Sequence, residues 1–233
     1  MILQSDKDIH TTLLGEVLFF GLLGKILYND LDRTWLQSLL DEDVFAEVPF
    51  GCDQPEIVKG LELIQSWKDK NHGLTDKSFE AISDDYLRLF IGAGKVLAPV
   101  WESVYFSEGR LIFQEETLQV RNWYGRYKLQ LKNKNKEPDD HIGLECLFIA
   151  HLAQRGLDAL ERQEEVEFKE LIQAQKDFLS EHLLRWGIAW CDLVEKHAKT
   201  DFYRGIARIT HGALAELSSM FDLNIPVRVA RWV

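Results

Sequence analysis

Apolar residues recur along most of this chain at the three- and four-residue spacing of a helix face. Between Ile9 and Leu27 they fall at Ile9, Leu13, Val17, Leu18 and Leu22. Asp32 can cap a short helix carrying Trp35, Leu36, Leu39 and Leu40. Pro55 suits a first helical turn ahead of Ile57, Val58, Leu61, Ile64 and Trp67, and Gly73 stops that run. Thr75 or Asp76 starts the next helix, with Phe79, Ile82, Tyr86, Leu89 and Phe90, which Gly92 and Gly94 end. The spacing predicts further helices over about Glu115 to Tyr127, from Ile142 to a stop at Gly156, and from Asp158 to Lys199 with a break near Ser180. Asp201 can cap a last helix with Ile206, Ile209, Leu214, Leu217 and Met220. Alternation of strand type is confined to Arg110–Phe113 and the tail from Asn224 to Val233. The pattern predicts an all-α fold, one helical bundle over residues 1–233 with about nine or ten helices.

A chain of 233 residues with 46% hydrophobic content can build one sizeable core. The most apolar early run, Leu13 to Leu27, is interrupted by Glu16 and Lys25 and is preceded by Asp6, Lys7 and Asp8. It reads as neither a signal peptide nor a membrane anchor, so a cytoplasmic protein without stable membrane insertion is expected. Cys52, Cys146 and Cys191 are scattered and form no CxxC pair, which argues against a disulfide framework or a thiolate metal site. The net charge of −11 disfavours nucleic acid as a partner and favours encounter with a basic peptide.

Three stretches depart from plain helix patterning. Pro99-Val100-Trp101-Glu102-Ser103-Val104-Tyr105 is apolar and aromatic where a loop is usually polar. Trp101 and Tyr105 suit the gripping of an apolar peptide, with Glu102 beside them; they equally suit plugging the end of a bundle. Glu137-Pro138-Asp139-Asp140-His141 packs three carboxylates and a histidine into five residues, ahead of Ile142, Leu144 and Leu147. That composition fits acid–base work, and it also fits the capping of a helix start. His141, Glu145 and His151 lack the HExxH spacing of a zinc site. His182 and Trp186 share a helix face, as a core histidine under a tryptophan would. Trp35, Trp67 and Trp123 sit on amphipathic helices and are expected in the core. Lys132–Lys136 reads as an exposed basic loop. The chain contains no P-loop, no GxGxxG after a strand and no GxSxG, and it assembles no nucleophile–base set, so no catalytic residue and no metal ligand is assigned.

Taken in order, Asp85-Tyr86-Leu87-Arg88-Leu89-Phe90-Ile91-Gly92, then Ala98 to Tyr105, then Glu137 to Gly143 resemble segments of the TorD/DmsD family of molybdoenzyme maturation chaperones. Glu137-Pro138-Asp139-Asp140-His141 is similar to that family's E-P-x-D-H hallmark. His182-Leu183-Leu184-Arg185-Trp186 and Asp201-Phe202-Tyr203-Arg204 resemble two further family segments. The resemblance runs from about residue 80 to about residue 210 and leans toward the dimethyl sulfoxide reductase chaperone branch. Gly92-Ala93-Gly94 departs from that branch's G-P-W, and Asp201 stands where the family often has Pro.

The resemblance implies a non-enzymatic, TorD-like helical chaperone, monomeric or domain-swapped as a homodimer. It would bind the twin-arginine (Tat) leader of a molybdenum oxidoreductase catalytic subunit and hold it until the cofactor is inserted. It further implies weak guanine-nucleotide binding, at no residues the sequence marks, and no other cofactor. A leader with two arginines before an apolar stretch needs carboxylates, offered by Glu137, Asp139, Asp140 and Glu102. It also needs an apolar seat, offered by Phe90, Pro99, Trp101, Tyr105 and Trp186. Tyr86, Ser103, Pro138, His141 and His182 complete the expected peptide-binding set through the family segments. His141 is expected to tether turn and loop by hydrogen bonds, and to offer a group through which pH could drive release. Two other readings stay open: an assembly factor that binds the mature oxidoreductase body, and a small hydrolase using Asp139, Asp140 and His141.

Overall fold

A computed structural model describes residues 6–92, 96–131 and 137–224. Along the chain lie α1 (Asp6–Tyr28), α2 (Arg33–Asp41), α3 (Pro55–Lys70), α4 (Asp76–Tyr86), α5 (Glu102–Phe106), α6 (Glu115–Arg126), α7 (Ile142–Glu161), α8 (Glu165–Phe178), α9 (Leu184–His197) and α10 (Asp201–Met220). Wider π turns, Leu87–Ile91 and Leu179–Leu183, follow α4 and α8. The described residues contain no strand, so the fold is all-α, as the periodicity predicts. Arg110–Phe113 is not a strand, because Arg110 and Phe113 both take left-handed backbone with positive φ. The tail beyond Asn224, the Lys132–Lys136 loop and Gly94 lie outside the described residues.

Local chemistry accounts for the helix starts. Asp32 accepts from Trp35 N at 2.6 Å and Thr75 from Ser78 N at 3.2 Å, and Gln54 caps the turn that Pro55 opens. At α10 the cap is Thr200, not Asp201; the Thr200 hydroxyl takes Tyr203 N, and Asp201 is the first helical residue. Gly156 does not stop α7, which runs on to Glu161. The break falls at Arg162–Glu164, where Gln163 has φ +59°. Near Ser180 the helix widens into the π turn and does not end.

Backbone contacts divide the chain into two compact units. The first comprises Met1–Tyr28 and Trp101–Leu184, the second Asn29–Val100 and Arg185–Val233. In the first unit α1 runs against α7, and α7 against α8. By length and composition α1 is apolar enough to cross a membrane. Here its buried face is Leu13, Glu16, Phe19, Phe20, Leu23 and Leu27, while Leu18 points to solvent. Gly24 and Gly143 allow the crossing of α1 and α7: a Cβ on Gly143 would stand 2.6 Å from Tyr28 N and 2.8 Å from Gly24 O.

In the second unit α3 lies along α10. A Cβ on Gly60 would meet Gly205 O at 2.7 Å. Trp67 is buried there against Phe202, their rings 5.5 Å apart, whereas Trp35 is half-buried. Trp123 of the first unit is buried as expected.

Candidate functional site

In the first unit the structure brings Glu137–His141 and Trp101–Tyr105 together. Trp101 and His141 form an antiparallel bridge, and Glu102 N donates to Asp140 O at 2.9 Å. The Asp140 carboxylate is fully buried and spans two helices. One oxygen accepts from Ser103 N at 2.7 Å in α5, the other from the Thr117 hydroxyl at 2.7 Å in α6. Asp139, also buried, accepts on one oxygen from Arg121 Nε at 2.9 Å and Nη2 at 2.7 Å. Its carbonyl accepts from the Tyr124 hydroxyl at 3.2 Å. Pro138 is buried. Glu137 is half-buried and accepts from the Tyr28 hydroxyl at 3.0 Å. Burial, and then Glu137, raise the Tyr28 hydroxyl to about 12.

His141 sits between two rings, Tyr28 at 5.3 Å and Trp101 at 6.1 Å, both nearly perpendicular to it. Its Nδ1 accepts from Gly143 N at 3.0 Å, so it caps α7. The hydrogen bonds between turn and loop come from the backbone and from Asp140, while the imidazole meets the loop through the Trp101 ring. Burial lowers His141 to about 3. Burial thus favours the neutral ring in the folded chain.

Glu102 is fully buried and its Oε2 lies 2.8 Å from His182 Nδ1, on the π turn Leu179–Leu183. The His182 ring leans on Phe178 at 5.2 Å. Ser103 and Tyr105 are buried on α5; Trp101 is half-buried, with its indole nitrogen shielded from solvent. Among the described residues no three His, Cys, Asp or Glu side chains converge on a point suited to a metal ion.

The second unit holds the remaining residues. Phe90 lies on the π turn Leu87–Ile91, stacked on Trp190 at 6.0 Å and edge-on to Tyr203 at 5.4 Å. Tyr86, half-buried, meets Phe90 at 5.6 Å. Trp186 on α9 and Pro99 are buried. Asp85 anchors this region by accepting from Lys199 N at 2.9 Å and from Thr200 N and its hydroxyl, each at 2.8 Å. Sequence reasoning missed Tyr28, Thr117, Arg121 and Tyr124, which hold the acidic turn. Thr117, Arg121 and Tyr124 recur at helical spacing on α6, but nothing in their types points to residues 137–141.

Residues 55–192 match the family described as nitrate reductase delta subunit. A probable Tat proofreading chaperone DmsD of Haemophilus influenzae is 26% identical over 219 residues, which is 91% of this chain and 95% of the relative. The Tat proofreading chaperone DmsD of Salmonella paratyphi A is 30% identical over 194 residues, 83% of this chain and 81% of that protein. The chaperone protein TorD of Vibrio cholerae is 27% identical over 177 residues, 76% of this chain and 73% of the relative. These relatives are named as chaperones and none as an enzyme. The family match begins at Pro55, in a stretch where the sequence alone offered only helical periodicity. The chain belongs to the TorD/DmsD family of chaperones.

Proposed function

We propose that this chain is a system-specific chaperone that binds the twin-arginine leader of a molybdenum oxidoreductase catalytic subunit. It holds that subunit in the cytoplasm until its cofactor is inserted, and only then permits export. The observation that carries the reading is the alignment of more than four-fifths of the chain with proteins named as Tat proofreading chaperones. Charge supports it, since a net −11 surface raises the local concentration of a basic leader. Glu137 and Trp101, the partly exposed members of the turn and loop, are the first groups a leader would meet. The reading needs no cofactor in the chaperone itself.

A second reading is favoured by one specific observation. Asp139 and Asp140 are buried and already accept hydrogen bonds from within the chain. Carboxylates so placed suit a scaffold that presents a surface to the mature oxidoreductase body. Affinity capture separates the two, using the client precursor and the same subunit with its leader deleted. The leader reading expects capture of the precursor alone. Equal capture of both would transfer the function to the mature body.

A further inference from the structure

Between α5 and α6 the chain makes a loop whose apolar side chains face outward. Leu111 is 55% exposed, Ile112 40%, Phe113 41%, and Leu118, on the first turns of α6, 56%. Scattered exposed leucines are ordinary; four large exposed apolar side chains within eight residues concentrate apolar surface in one loop and the helix start that follows it. Hydrogen bonds shape the loop. The Ser107 hydroxyl accepts from Leu111 N at 2.6 Å and donates to Leu111 O at 3.2 Å, and Arg110 N donates to Ser107 O at 3.2 Å. Arg110 and Phe113 hold left-handed backbone, with φ of 54° and 60°. That conformation is costly for residues with a Cβ and persists only where surrounding structure enforces it.

The acidic turn holds the helices on either side of the loop. Asp140 bonds Ser103 at the loop's entry and Thr117 at its exit. One buried carboxylate thus pins both stems of an exposed apolar loop. The flanks of this loop are acidic: Glu108, Glu115 and Glu116 stand against Arg110 as the one cation between Ser107 and Leu118. An exposed apolar segment with a net negative charge along its sequence complements an apolar segment that carries positive charge.

We propose that Leu111, Ile112, Phe113 and Leu118 receive the apolar stretch of the client's leader. This rests on the leader-binding reading and adds a location to it. The test is calorimetric titration of the full-length chain and of a Leu111→Ser, Phe113→Asn, Leu118→Gln variant. Asn tolerates left-handed backbone, and all three sites are exposed, so the variant keeps its fold. Circular dichroism and the unfolding midpoint check that it does.

One synthetic peptide carries the arginine pair and the apolar stretch; a second keeps the arginines and replaces the apolar stretch with serine and glutamine. The expected result is at least tenfold weaker binding of the first peptide by the variant, and equally weak binding of the second by both proteins. Wild-type affinity of the variant for the first peptide would overturn the proposal and leave the leader reading intact. No binding of either peptide to the wild-type chain would overturn both. A variant that loses self-association on a sizing column while keeping peptide affinity would assign the loop to contacts between copies of this chain, and would also overturn the proposal.

Discussion

Asp140 illustrates what a buried carboxylate does here. It accepts from Ser103 and Thr117 and lies wholly inside the first unit. Asp140→Ala leaves both donors unsatisfied, and hydrogen bonds to a charged group are worth about 1.5–3 kcal/mol each. The variant should lose roughly 3 kcal/mol or more, seen as a lowered denaturant midpoint with an unchanged slope. A loss below about 0.5 kcal/mol, within the range of surface substitutions, would show that the carboxylate is not structural. Trp101→Ala should cost less, because the side chain is only partly buried. Its helical content should persist while leader affinity drops about tenfold, the scale of a modest aromatic hot spot.

Glu16 is a different case: it is fully buried, and Gln175 donates to it at 2.6 Å. Burial raises its carboxyl from 4.5 to about 7, offset in part by that hydrogen bond. Between those values the unfolded chain has released a proton that the folded chain keeps. The contribution of this carboxyl to stability is therefore fully present below pH 4.5 and is lost as pH rises to about 7. At about 1.4 kcal/mol per unit, Glu16→Gln should stabilise the protein by up to roughly 3 kcal/mol at pH 8 and by almost nothing at pH 4.5. Thermal unfolding at the two pH values checks the sign. The aromatic and acidic residues were readable in the sequence as unusual, but their exposure was not. Burial is set by partners such as Thr117 and Arg121, which lie 23 and 18 residues away.

At the scale of elements, what was local was readable. Asp32, Pro55 and Thr75 act within three residues of themselves, so their helix starts follow from residue type. Gly156 misled because a glycine inside a helix can serve packing instead of ending it; its Cβ position faces Leu13 and Ile172 at ordinary contact distance. The end of α7 carries no Gly or Pro signal, and Gln163 supplies the left-handed turn. The sequence marks both places as interruptions, near Ser180 and at Gly92, but not as π turns; Phe90 and His182, on segments that resemble the family's, sit on one each. Close helix approach makes a further prediction. Gly143→Ala drives a methyl to 2.6 Å from Tyr28 N, which is backbone and cannot swing aside. The cost should be about 2–3 kcal/mol by denaturant titration, the scale of core overpacking. Gly21→Ala, in the facing helix α1, where a Cβ meets nothing within 4 Å, should be neutral or stabilising.

At the scale of the whole molecule, the all-α class and the chaperone family were readable from periodicity and from five short segments in order. The division into two units, each assembled from separated stretches, was not. Pairing of distant segments leaves no local trace in composition. Net charge is a property at this scale too: −11 should steer a basic leader toward the chain, and raising ionic strength should slow association more than dissociation. The central claim is that this chaperone reads a twin-arginine leader. Calorimetric titration with a synthetic leader, beside a control whose two arginines are lysines, tests it most directly. Guanidinium forks bond carboxylates in a geometry that ammonium groups cannot reproduce, so the account predicts tight binding of the first peptide and at least tenfold weaker binding of the second. Equal affinity for the two would contradict arginine reading, and no affinity for either would contradict leader binding itself.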